Sequence, residues 1–271
     1  MTDKLHLSVP DFEPAEAKDF ELCIEIGNNY FQYGVISLID HAVKVVSAKA
    51  SIIFNEIENS LLQTHFAKTK LSLFTQKFTF IPSEIFKAED LMVYSKYIQP
   101  DDTMTVLFST IEKVGITVVY AVPKITLDKV SKYFPDAKIY PHLFPFLKGV
   151  DNGFSQIDFP LLFVNFKPGF IEIAVYHHQK FQFYNTFEYQ NDDELIYFIL
   201  LAIQQNKLKI AGTTIKISGN VSAKSTSFER ISAQFPRTEI TDQDSLPLTY
   251  SNLGQPVMPR FFSLFSLHLC E

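Results

Sequence analysis

Few residues of the chain have the types and spacing that chemistry needs. Glu25 stands two places before Gly27 in the run Glu25-Ile26-Gly27-Asn28-Asn29, so a carboxylate able to position a metal ion or a water borders a turn. Gly and Asn suit that turn because both tolerate positive φ. The same Glu25 also reads as an ordinary strand carboxylate on a polar face. Lys167-Pro168-Gly169 and Gly219-Asn220 make two further turns. His177 and His178 are adjacent, and adjacent strand residues point to opposite faces, which prevents joint ligation of one ion. His6, His41, His65, His142 and His268 have no ligand spacing, and Cys23 and Cys270 form neither a metal motif nor a disulfide framework. They read as buried free thiols. The sequence contains neither a G-x-S-x-G nucleophile turn nor a G-x-x-x-x-G-K-[ST] phosphate loop.

The elements that must position these residues follow from patterning. Residues 1–18 read as a loose lead-in. From Glu21 to Ile26 apolar and polar residues largely alternate, which suits a half-buried strand. Tyr30–Ile39 resumes as a second strand and Val43–Ile53 forms a third, giving an antiparallel meander. Lys70–Ile81 reads as one strand, Ala88–Ile98 as a helix, Thr103–Ile111 and Gly115–Ala121 as a strand pair, and Thr126–Phe134 as a helix. Gly149–Gly153 reads as a linker. A second meander follows in Leu161–Phe166, Phe170–Tyr176 and Lys180–Glu188. The acidic run Asn191–Glu194 caps a helix over Leu195–Gln205, where negative charge suits the helix N-terminus. Thr214–Ser218 is a strand, Ser222–Phe235 a helix, and Pro259–Leu269 an aromatic-rich helix.

The two meanders match at an offset of 140 residues. Leu22 aligns with Leu162, Ile24 with Val164, Ile26 with Phe166, Asn29 with Gly169, Tyr30 with Phe170 and Val35 with Val175. A period of half the chain, with helices and strands after each copy, predicts a duplicated α/β domain. The chain has 271 residues, 46% of them hydrophobic, which suffices for two modest cores. Net charge is −6 and only three of the 24 basic residues are Arg. Arg is the preferred reader of phosphates and base edges, so no nucleic-acid partner is expected. The longest purely apolar run, Leu195–Ile203, has nine residues, short of the roughly 20 that span a bilayer as a helix. With no signal-type stretch in Met1–Pro14 and no transmembrane segment, a cytoplasmic location is expected.

The strand-turn-strand opening over Ile24–Phe31, its recurrence halfway along, and the strand-Gly-helix unit around Ser218-Gly219 resemble the actin-like ATPase superfamily. The layout is similar to that of its bacterial cell-division and type IV pilus members, and to an uncharacterised bacterial domain-of-unknown-function family of this fold. The resemblance covers residues 20–271. It implies two ribonuclease-H-like domains, 19–150 and 151–271, with mixed sheets and flanking helices around a nucleotide cleft. The cofactor it implies is ATP with Mg²⁺.

Three loops carry the superfamily's nucleotide site. Glu25 matches the acid of the first phosphate loop, with Gly27, Asn28 and Asn29 as its turn. At the second, Asn165 replaces the acid and Lys167 the first glycine, with Gly169 following. Ser218, Gly219 and Asn220 fit the adenosine loop in part. Losing a carboxylate at Asn165 removes a full charge from the surroundings of a hard cation, and Pro168 has no N–H to offer a phosphate. Phosphoryl transfer relies mainly on positioned charge. The expectation is therefore a degenerate actin-like protein with weak nucleotide binding and weak or no hydrolysis, acting as a scaffold for a protein partner. Glu25 is its candidate catalytic residue and no metal-ligand set is assigned. The alternative is an active ATPase or small-molecule kinase. A two-metal nuclease would need converging carboxylates, which the second half lacks at Asn165.

Overall fold

The structure, a computed structural model, describes residues 5–10, 12–50, 61–154, 156–250, 253 and 257–271. The first part of the chain builds β1 (Leu5–Ser8), β2 (Phe20–Ile26), β3 (Phe31–Ser37), β4 (Val43–Lys49), β5 (Lys68–Leu73), β6 (Phe78–Pro82), α1 (Leu91–Tyr94), β7 (Met104–Ile111), β8 (Ile116–Pro123), α2 (Lys124–Tyr133) and β9 (Lys138–Pro141). A sheet forms in the order β1-β4-β3-β2-β5-β9. Its meander is antiparallel, with residues 51–53 of the expected third strand lying outside the described residues, while β5 runs parallel to β2 and β9 parallel to β5. Residues 5–8, expected within a loose lead-in, instead pair with β4, because Leu5 and Leu7 bring an alternating pattern to its open edge. Strand β2 is buried along its whole length. Alternation read it as half-buried, but a central strand of a mixed sheet is covered on both faces.

The expected single strand over Lys70–Ile81 is two strands in different sheets. β6 joins β8 and β7 in a separate antiparallel sheet of order β6-β8-β7. Ile81, Ile98, Val119 and Ala121 form its core, covered by Phe86, Leu91 and Tyr94.

After β9 comes α3 (Leu143–Phe154), which runs through the expected linker at Gly149–Gly153. Leu143, Phe144, Phe146, Leu147 and Val150 are all buried, and that burial overrides the local glycine and asparagine signal. Pro145 is tolerated because the first turn of a helix has no intrahelical acceptor to lose. Then follow β10 (Leu161–Lys167), β11 (Phe170–His177), β12 (Lys180–Glu188), α4 (Asp192–Gln205), β13 (Thr214–Gly219), α5 (Thr226–Gln234), β14 (Thr238–Ile240) and α6 (Phe262–Ser266). The Asn191 side chain accepts the N–H groups of Asp193 and Glu194, capping α4 as its acidic start predicts. The sheet order is β12-β11-β10-β13-β14, with β13 parallel to β10 and β14 parallel to β13. Leu195, Ile199 and Ile203 of α4 pack on Leu162, Val164 and Ile173 of this sheet.

The order β4-β3-β2-β5-β9 repeats as β12-β11-β10-β13-β14, with the same strand directions. Register repeats too. Leu22 faces Val35 as Leu162 faces Val175, and Glu25 faces Gln32 as Asn165 faces Glu172. The offset of 140 therefore holds across both hairpins.

By contacts the chain divides into two compact units, residues 1–148 with 248–254 and 264–271, and residues 149–247 with 255–263. The tail, expected wholly in the second half, thus contributes to both. In the first unit Phe265 lies over Gly34, where an added Cβ would come within 2.6 Å of its ring. No helix among the described residues is long and apolar enough to cross a membrane.

Candidate functional site

The two mixed sheets each carry a polar row, one strand pair before the end of the hairpin in the first unit and two pairs before it in the second. In the first unit Glu25 lies opposite Gln32 on one side and Ser72 on the other. In the second, Asn165 lies between Glu172 and Ser218. All six side chains are buried. Polar groups withdrawn from water must find partners, and the second row does so completely at Asn165. Its Nδ2 donates to Glu172 Oε2 at 2.6 Å and to Ser263 Oγ at 2.6 Å. Its Oδ1 accepts from Ser218 Oγ at 2.9 Å. Tyr184 donates its hydroxyl to the other Glu172 oxygen at 2.7 Å.

In the first unit Tyr30 donates its hydroxyl to Glu25 Oε1 at 3.1 Å. The Tyr30 ring fills the inside of the Gly27 turn, where an added Cβ would stand 2.0 Å from Cε1. Gly27 N–H donates to the Tyr30 carbonyl at 2.9 Å, closing the hairpin on itself. The requirement for glycine at 27 therefore comes from Tyr30. Asn28 and Asn29 are exposed at the tip.

The second unit brings Asn165 and Ser218 into contact and sets Gly219 and Asn220 against the end of β10. Gly219 has φ +88°, and a Cβ there would lie 2.0 Å from the Phe166 carbonyl oxygen. Asn220 N–H donates to that oxygen, and Gly219 N–H to Pro259 O, both at 2.9 Å. Lys167 is buried and pairs with Phe170 across the hairpin. Gly169 also has φ +88° but faces open space. Among the described residues no cluster of His, Cys, Asp or Glu is arranged to hold a metal ion.

Sequence reasoning missed Glu172, Tyr184 and Ser263. Glu172 had a signal, since it is Gln32 moved by the repeat offset. It also missed a buried charged group in the first unit. Lys70 Nζ lies 2.6 Å from Glu21 Oε1, and His268 Nδ1 lies 2.5 Å from Glu21 Oε2. Lys70 also donates to the His268 carbonyl at 3.1 Å, and His41 Nδ1 lies 3.2 Å from His268 Nε2. Burial pushes the Glu21 carboxyl up, but the His268 hydrogen bond and the Lys70 charge outweigh it and leave Glu21 below its ordinary range.

A family model for proteins of unknown function, DUF3822, matches residues 10–237. The chain belongs to the DUF3822 family. The family member is also similar to solved structures. A Bacteroides thetaiotaomicron protein with the actin-like ATPase fold and unknown function matches 96% of this chain and 99% of its own, with TM-score 0.78 and 15% identity. The PilM–PilN type IV pilus biogenesis complex supplies a chain matching 92% of this one and 97% of its own, with TM-score 0.64 and 12% identity. The ethanolamine utilization protein EutJ of Carboxydothermus hydrogenoformans matches 97% and 93%, with TM-score 0.51 and 8% identity. No curated protein matches the chain. This DUF3822 member therefore has the α/β, actin-like ATPase fold that its hairpins suggested.

Proposed function

We propose that this chain is a degenerate actin-like protein that acts as a protein-interaction scaffold and hydrolyses nucleotide weakly or not at all. The observation that carries this reading is the Asn165 row. The position of the family acid holds a neutral amide whose two N–H groups and carbonyl are taken up by Glu172, Ser263 and Ser218. Both donors of that amide are engaged and its carbonyl already accepts one bond, so it offers a ligand neither a free N–H nor a charge. The glycine turns support the same reading, because the Gly27 N–H donates to the Tyr30 carbonyl and the Gly219 N–H to the Pro259 carbonyl. Asn165, uncharged and engaged by its three neighbours, thus does not fit a Mg²⁺ ion held as the superfamily resemblance implies, while Glu25 keeps a carboxylate at the first loop with Tyr30 on one oxygen. The PilM structure is that of a complex with another protein, PilN, which favours a protein partner here. Fold alone does not transfer function.

Titration calorimetry with ATP and Mg²⁺, followed by a phosphate-release assay, tests the proposal. The expected result is weak or no binding at millimolar ATP and phosphate release little or not at all above buffer. Tight binding with turnover lost in Glu25→Ala would overturn it in favour of an ATPase or small-molecule kinase.

A further inference from the structure

Strand β7 is the outer strand of the β6-β8-β7 sheet, and no strand among the described residues pairs with its far side. Alternate residues of an antiparallel edge strand turn their N–H and C=O groups outward. Proteins ordinarily blunt such an edge with charge, proline, bulges or brevity. The other edge strands follow that rule. β1 has four residues and β14 three. β6 and β9 are short and end on Pro82 and Pro141. β12 carries Lys180 and Glu188 and pairs with a register shift. β7 has none of these devices. Its eight residues, Met-Thr-Val-Leu-Phe-Ser-Thr-Ile, include no charge and no proline, and its register with β8 is unbroken. Phe108 is 42% exposed at its middle, and Met92, Val93 and Tyr97 are exposed on the helical segment before it.

We propose that β7 is the contact surface of a symmetric dimer, in which the β7 edges of two copies pair antiparallel about a two-fold axis at Phe108. The absence of charge sets the occupant, and the exposed Phe108 sets the register. Pairing across a two-fold axis sets like residues near like, so a charged edge would repel its own copy. An edge without charge suits a second copy. The axis runs perpendicular to the sheet and keeps every side chain on its own face, so a residue near the centre must face itself. With Phe108 on the axis, Leu107 faces Ser109 of the second copy and Val106 faces Thr110. The paired residues carry no charge, and the two exposed rings form a cross-strand aromatic pair. This inference is independent of the scaffold proposal, since a dimer is compatible with either presence or absence of nucleotide binding.

Sedimentation equilibrium of the full chain tests it together with disulfide trapping. The expected result is a concentration-dependent dimer, and rapid cross-linking of Phe108→Cys by mild oxidant into a reducible dimer. Thr110→Cys, which would face Val106 of the second copy, should cross-link far more slowly. Native Cys23 and Cys270 are buried and do not compete. Phe108→Lys should weaken the dimer roughly tenfold or more by placing two ammonium groups on the axis. If that variant unfolds, trapping by Phe108→Cys still decides. A monomer at every concentration overturns the proposal, as does a dimer that Phe108→Cys fails to trap.

Discussion

Replacing Asn165 by aspartate would introduce the acid that the resemblance to actin-like ATPases implies at this position, and the structure predicts harm rather than gain. The amide nitrogen now lies 2.6 Å from Glu172 Oε2 and donates to it. An aspartate oxygen in that place opposes one carboxyl group to another, with both residues fully buried. Two carboxyls at hydrogen-bond distance cannot both ionise and must share a proton. The second bond, to Ser263, survives because a hydroxyl can turn to donate. Breaking a buried, hydrogen-bonded charge arrangement costs about 3 kcal/mol at the low end. For a chain of this size that corresponds to a fall of roughly 6–12 °C in Tm near pH 7.5. The sign with pH follows from linkage. The introduced acid has a folded-state pKa raised above its unfolded value of about 3.9, so its penalty is absent below that pH and grows as pH rises towards the raised value. Thermal melts of wild type and Asn165→Asp at pH 4.5 and 7.5 measure this, and the gap should be smaller at pH 4.5. Equal Tm values at pH 7.5, or a variant that gains MgATP binding or stability, would refute the account of the row as a sealed structural network.

Two further outcomes test the neighbouring geometry. Gly169 and Gly219 share φ +88° but differ in space, so Gly169→Ala should cost about 1–2 kcal/mol for the left-handed backbone alone. Gly219→Ala should cost more, because its methyl group would meet the Phe166 backbone, and paired urea titrations would show the difference. At the Glu21 cluster the folded-state pKa is depressed, so its stabilisation is present above the unfolded pKa and is lost as pH falls through the folded one. Glu21→Gln should therefore lower stability near neutral pH and flatten the acid limb of the stability curve. An unchanged acid limb in stability measured from pH 7 to pH 2 would contradict the ion pairs described.

Much of the fold was legible locally. Turn residues at 27–29 and 168–169 punctuate apolar runs of strand length, and the 140-residue offset between the hairpins reappears residue for residue in the strand pairing. The helix from Asp192 and the β7–β8 pair were equally readable, because caps and alternation act over a few neighbours. Other features depended on distant chain. Alternation shows which face a side chain takes, and says nothing of whether that face is covered, so Glu25 read as a polar-face residue and is buried. The run Lys70–Ile81 looks continuous, yet its parts hydrogen-bond to β2 and β8, which lie far apart in sequence. Gly149–Gly153 carries linker residues but is helical because buried aromatic side chains earlier in α3 hold the helix in place.

By itself, then, the sequence determined the strands, the turns and the duplication, since these rest on backbone preferences and short-range periodicity. Only the tertiary structure decided that Asn165 meets Glu172, Ser218 and Ser263, that Tyr30 occupies the Gly27 turn, and that Glu21, Lys70 and His268 share one buried site. Those groups lie up to 247 residues apart along the chain, and burial energy, which is blind to sequence distance, brings them together.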